Sequence, residues 1–244
     1  MKKPLIITLL LTACTGEVKT VATEETKPIT DSVTCSATVN KVLILNDSEL
    51  LQPKIILADT NITATLNKYL EIEKIGFYTL KELKEQRKDS FPMGLTALGY
   101  EITFNKNCLL SMTVYGETMG AYPSGYSLYF NFDLTTGDSV FIEKLLDETK
   151  INTLIKRCDD TIQKRIAECK AEHTGTDDGF ILEQLVDKKF TRKELSDFYI
   201  TETDVVFVYS FGFPHVIQGA EPDGFIKIPK GEFRQYLKTN PYRF

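Results

Sequence analysis

Tyr126-Ser127-Leu128-Tyr129-Phe130-Asn131-Phe132-Asp133, continuing through Leu134-Thr135-Thr136-Gly137-Asp138 into Ser139-Val140-Phe141, is a strand, a turn and a return in one stretch. Tyr126, Leu128, Phe130 and Phe132 alternate with Ser127, Asn131 and Asp133. Successive side chains of a strand point to opposite faces, so this alternation predicts a strand with one face on a core. Thr135-Thr136-Gly137-Asp138 supplies a turn in which Gly137 suits a positive φ, and Ser139-Val140-Phe141 is expected to return as the partner strand.

Upstream, the same period recurs twice. Tyr100, Ile102 and Phe104 alternate with Glu101, Thr103 and Asn105, and Leu110, Met112 and Val114 alternate with Ser111 and Thr113. Three antiparallel strands follow from this. Earlier still, Val39, Val42 and Ile44 suggest a strand, Ile55-Ile56-Leu57 a second apolar run, and Ile62, Leu66, Tyr69 and Leu70 one face of a short helix. Lys81 to Lys88, charged around Leu80 and Leu83, reads as a solvated helix or a long excursion.

Downstream, Ile151, Leu154, Ile155, Cys158, Ile162, Ile166 and Cys169 form the apolar stripe of a long amphipathic helix, which breaks at His173 to Gly179. Phe180 to Phe190 is expected to be another helix. Val205, Phe207 and Tyr209 begin a strand, Gly212 to Gly224 forms a loop and Phe225 to Ile228 a last strand. Pro229 opens a terminal helix carrying Phe233, Tyr236 and Leu237. The whole predicts an α+β fold: antiparallel sheet with helices packed against it, in two joined halves at 34–117 and 118–244.

The N-terminus has a different character. Lys2 and Lys3 precede an apolar run from Leu5 to Leu11, too short to span a bilayer, which needs roughly 20 apolar residues. It fits a secretory signal over residues 1–13. Leu11-Thr12-Ala13-Cys14 resembles the lipobox of bacterial lipoproteins, so Cys14 is the expected lipidation site. Residues 14–33, rich in Thr, Glu, Lys and Val and without an aromatic side chain, read as a flexible tether. The expectation is an envelope protein attached to a bacterial membrane through an N-terminal lipid, facing the periplasm or the exterior.

Without Lys2 and Lys3, 27 basic residues face 34 acidic ones, a net charge of −7. No basic patch appears, so nucleic acid is not an expected partner. An acidic surface favours encounter with a basic protein or polymer.

The order of motifs carries a resemblance. Tyr115-Gly116-Glu117, then Gly120-Ala121-Tyr122-Pro123, then Tyr129 to Gly137, and finally Ile228-Pro229-Lys230-Gly231-Glu232-Phe233 resemble an extracytoplasmic bacterial domain family. That domain occurs in RsiV-type lysozyme-sensing anti-sigma factors and beside some peptidoglycan deacetylases. Met119-Gly120-Ala121-Tyr122 stands where the family usually has Gly-Gly-Ala-His. The resemblance implies a fold, an extracytoplasmic compartment and a lysozyme-like protein or peptidoglycan as candidate partners.

Catalytic signals are sparse. The two histidines, His173 and His215, do not supply the Asp-His-His set of a metal-dependent deacetylase, and Cys169 with His173 lacks further ligands for a metal. No cofactor is expected. Ser124-Gly125-Tyr126-Ser127 lacks the setting of a nucleophile elbow. A binding protein is therefore favoured over an envelope hydrolase or deacetylase acting on glycan, with a structural lipoprotein as the blander option. The candidate contact residues are Tyr115, Glu117, Tyr122 and Pro123 around the loop 117–125, with Glu221 and Asp223 adding negative charge. Tyr122 either presents aromatic area to a partner or packs against Tyr115 or Tyr126. Among the remaining cysteines, Cys158 and Cys169 lie too far apart on a continuous helix to bridge. Four reduced thiols are expected, with a Cys35–Cys108 pair left open.

Overall fold

The computed structural model describes residues 35–88, 93–175 and 179–243. The expected signal segment, tether and Cys14 lie outside the described residues. The described residues form one compact unit. A hairpin of β1 (Thr38–Leu43) and β2 (Leu51–Ile56) opens the fold and leads into α1 (Thr60–Tyr69), α2 (Ile72–Ile75) and α3 (Leu80–Gln86). Then β3 (Gly94–Lys106), β4 (Leu109–Met119) and β5 (Pro123–Asp133) form an antiparallel sheet in that order. After α4 (Ile142–Leu145) comes α5 (Glu148–His173), then α6 (Gly179–Gln184). A second antiparallel sheet of β6 (Phe198–Ile200), β7 (Asp204–Val208) and β8 (Phe225–Pro229) precedes α7 (Lys230–Phe233). The class is α+β, with antiparallel sheets and helices packed against them.

The alternation of the strands sorts the first sheet into two faces. Leu110, Met112, Val114 and Phe132 are buried on one face, in a core shared with Leu50, Ile55, Leu66, Leu70 and Leu83 from the hairpin and α1 to α3. The second core lies between α5 and the second sheet, where Ile151, Leu154, Cys158 and Ile162 meet Val205, Phe207, Ile226, Ile228 and Phe233. The junction expected at 117/118 falls inside β4.

The second face of the first sheet, carrying Ser111, Asn131 and Tyr129, meets β6. Ser111 and Asn131 are cross-strand partners, and they are the buried polar side chains among the described residues. The Ile200 N–H donates to Ser111 Oγ at 2.9 Å, and Asn131 Nδ2 donates to the Phe198 carbonyl at 2.8 Å. On the outer edge of β6, where no strand lies alongside among the described residues, one N–H and one carbonyl are thus satisfied by two side chains of the other sheet. Two other asparagines act alike. Asn67 on α1 bonds both the N–H and the carbonyl of Ile55, and Asn105 does the same for Ala37. A primary amide has the donor–acceptor pair of a peptide group, so each of these two stands in for an absent strand neighbour.

Asp133 explains the turn after β5. Its Oδ1 accepts from the backbone N–H groups of Thr135 and Thr136, and Gly137 has φ +81°. The return is shorter than expected: Ser139 makes an isolated bridge to Phe132, and α4 begins at Ile142, leaving no length for a partner strand. The helix expected over 180–190 also stops early. α6 ends at Gln184 and Asp187 takes a positive φ of 57°, while Leu185 and Phe190 still reach the core. The charged stretch near Lys81 is helical, as α3, and starts with a capping box between Thr79 and Glu82. The terminal helix is one turn, α7, followed by a 3-10 turn at Arg234–Tyr236.

The cysteine expectation is corrected for two of four residues. Cys35 and Cys108 form a disulfide, with Cα atoms 4.7 Å apart. Spacing does not reveal it, because the pairing depends on where the chain crosses. Asn107 and Cys108 both have positive φ in the tight turn between β3 and β4, and the Cys108 N–H donates to the Cys35 carbonyl. Cys158 and Cys169 are free and buried along α5.

Candidate functional site

The two predicted contact regions, far apart in sequence, meet. The β4–β5 hairpin and the segment 208–225 wall a groove of about 1140 Å³, whose lining includes Tyr115, Glu117, Glu221 and Asp223. Tyr122 and Pro123 are not among the lining residues. They sit at the hairpin tip, where the Tyr122 ring, 66% exposed, lies 5.8 Å from that of His215 rather than against Tyr115 or Tyr126.

Each wall is held for an identifiable reason. Tyr115 lies flat across Gly99 of β3, where an added Cβ would come within 2.5 Å of the ring. On the other face, the Tyr126 hydroxyl donates to the Ile75 carbonyl at 2.6 Å and ties the hairpin to α2. Across the groove, Glu221 accepts from the Phe211 and Gly212 N–H groups at 2.8 and 3.1 Å, so its carboxylate closes its own loop. Arg165 on α5 pairs with the Asp223 carboxylate at 3.2 Å and donates to the Asp223 and Phe225 carbonyls. Gly224 lies so close to Tyr209, the residue that follows β7, that a Cβ would fall 1.9 Å from its carbonyl oxygen. The loop is built rigidly onto the second sheet and α5.

Sequence reading missed several lining residues, chiefly Asp197, Tyr129, Tyr209 and Phe225. Tyr129 stacks on Tyr199 at 5.6 Å, and Tyr199 meets Phe225 edge-on. Burial raises the hydroxyl pKa of Tyr129, Tyr199 and Tyr209, so these phenols are neutral at neutral pH and keep their O–H donors. Burial also raises the Asp197 carboxyl, with help from the neighbouring Glu194. The charged side chains that line the groove are Glu117, Asp197, Glu221 and Asp223; neither Lys nor Arg is among the lining residues. The surface is both aromatic and negative.

Asp133, His215, His173 and Cys169 have structural positions. Asp133 holds its turn and accepts from Tyr242 Oη at 2.9 Å. Burial alone raises its carboxyl pKa, but the hydrogen bonds from Thr135, Tyr242 and Thr136 outweigh burial and bring it below the ordinary value. His215 opens a 3-10 turn beside Tyr122. His173 ends α5, with Cys169 facing the Ala220 carbonyl one turn earlier. Among the described residues no cluster of three or more His, Cys, Asp or Glu side chains is arranged to hold a metal. No described helix is long and apolar enough to cross a membrane.

Fold and groove together define an α+β domain with an acidic, tyrosine-lined groove. Its fold is similar to that of a DUF3298 family protein from Pseudomonas aeruginosa PAO1, with a TM-score of 0.52 at 13% identity over 85% of this chain and 95% of that one. A DUF3298 family member from Bacteroides fragilis NCTC 9343 aligns with a TM-score of 0.44 at 12% identity, over 85% of this chain and 94% of the other. No protein-family model matches the sequence. Comparison with curated proteins gives no match.

Proposed function

We propose that this chain is a lipid-anchored binding protein of the bacterial cell envelope whose groove takes a basic, lysozyme-like protein. The observation that carries the proposal is the charge of the groove: four carboxylates, of which Asp223 is paired with Arg165 of α5, and no Lys or Arg among the lining residues, beside rings that offer flat contact area. Such a surface steers a cationic partner toward it, and tyrosines give area with little loss of side-chain freedom on binding. The net charge of the chain has the same sign. The reading of a lipid at Cys14, followed by a tether, is supported by the sequence from Lys2 to Cys14.

The test is calorimetric titration of residues 33–244, which contain both hydrophobic cores, with lysozyme and separately with peptidoglycan fragments at low and physiological salt. Saturable lysozyme binding that weakens with salt is expected, because partly exposed charges are screened over about 8–10 Å. Removing the charge of Glu117 or Asp197 is expected to weaken binding about two- to fivefold at low salt, the effect of losing one exposed charge pair. Binding to peptidoglycan fragments alone would move the reading to a glycan ligand. No binding to either would leave the fold and remove the function.

A further inference from the structure

The wall of the groove formed by β5 is an open sheet edge. In an antiparallel pair, successive residues alternate between bonding the partner strand and facing away from it. The Asn131 carbonyl accepts from Val140 N–H at 2.7 Å, and the Asp133 N–H donates to the Asp138 carbonyl at 2.9 Å. Odd-numbered residues of β5 therefore face away from β4. At Gly125, Ser127 and Tyr129 the same outward groups meet no backbone partner among the described residues. Together they offer three N–H and three C=O groups over about 14 Å. Gly125 and Ser127 are exposed.

Edges left open are normally blunted by lysine, proline or a bulge. Here Pro123 stands only at the start of the strand, no lysine occurs from 123 to 133, and the β4–β5 register runs without a shift. One side of this edge faces the carboxylates of the groove, while Tyr126, Leu128 and Phe130, on the other face, are partly buried apolar side chains. We propose that β5 is a docking edge for an extended segment of the partner, added as a fourth strand, with basic and apolar residues alternating along it. Its backbone would bond Gly125, Ser127 and Tyr129, its basic side chains would face Glu117, Asp197 and Asp223, and its apolar ones Leu128 and Phe130. A second copy of this chain would bring like charge to the same groove. This inference rests on the groove being the site for a basic partner, and adds the mode of recognition.

A decapeptide of alternating Lys and Val tests it against residues 33–244, read by calorimetry beside lysozyme binding. The alternating peptide is expected to bind at least tenfold more tightly than a peptide of the same composition with lysines and valines in separate blocks. N-methylation of the amides on one alternate set of residues should abolish binding, while N-methylation of the other set should leave it, because only one set faces β5. Ser127→Pro removes an outward N–H without touching the β4 ladder and should weaken the peptide at least tenfold. Should that variant fail to fold, the N-methylated pair gives the same answer. Equal binding of alternating and block peptides, or no effect of either methylation pattern, overturns the docking edge even where lysozyme binds. Failure of both lysozyme and the alternating peptide to bind overturns the edge and the proposed function together.

Discussion

Ser111→Ala isolates one of the two buried side-chain bonds described between the sheets. Ser111 is fully buried, and its Oγ accepts the Ile200 N–H at 2.9 Å and the Thr103 hydroxyl at 3.1 Å. Alanine fills the site with almost the same shape but leaves the Ile200 N–H with no acceptor on a strand that is itself buried at that point. Thr103 is only partly buried, so its hydroxyl can turn to water. The loss is therefore that of one orphaned buried donor, about 2 kcal/mol from the 1–3 kcal/mol range for such groups. Asn131→Ala is expected to cost less than its lost bond suggests. It orphans the Phe198 carbonyl but also removes a buried Oδ1 that has no hydrogen-bond partner. Urea unfolding of residues 33–244, followed by far-UV circular dichroism, measures both. A loss below about 0.5 kcal/mol for Ser111→Ala, the scale of an ordinary surface substitution, would refute the idea that this hydroxyl serves as the missing neighbour of β6.

Three further outcomes follow from the geometry. The Cys35–Cys108 bridge spans 73 residues, so reduction or Cys35→Ala with Cys108→Ala should lower stability by about 4 kcal/mol on the chain-entropy estimate, seen as a fall in unfolding midpoint; a midpoint unmoved by reductant would contradict it. The Asp133 carboxyl lies below its ordinary value in the fold, so it adds stability that is fully present above the unfolded pKa near 3.9 and is lost as pH falls through the lower folded value. Wild-type stability should accordingly drop more steeply than that of Asp133→Asn between about pH 4 and pH 2, and parallel curves would contradict this. Gly224→Ala places a Cβ against the Tyr209 carbonyl, so the 208–225 loop must move; a stability loss above about 2 kcal/mol and weaker partner binding are expected, and an unchanged midpoint would mean that the close approach is not needed.

The periodic elements were legible in the sequence because burial alone sets their period. Tyr126 to Phe132 and the stripe from Ile151 to Cys169 keep one face on a core, and both form as read. β6 was not legible: Phe198-Tyr199-Ile200 is too short for a pattern, and its outer edge is satisfied by Ser111 and Asn131, which lie 89 and 67 residues away from Ile200 and Phe198. The disulfide was hidden for the same reason, since only the crossing of the chain near the β3–β4 turn brings Cys35 to Cys108. Tyr115 and Glu117 are legible as one candidate region and Glu221 and Asp223 as another, but that they line one groove depends on the fold. Tyr129 is legible only as a strand residue and Asp197 not at all, because nothing local marks either as part of a groove. Their meaning comes from what stands opposite.

Hydrogen–deuterium exchange of residues 33–244 with and without saturating lysozyme is the most direct measurement of the central claim, since it reads the binding surface amide by amide. Protection concentrated in 115–129 and 208–225, strongest at Gly125, Ser127 and Tyr129, is the predicted result. Protection confined to α5 and α1, or none at a concentration where calorimetry shows saturation, would contradict it.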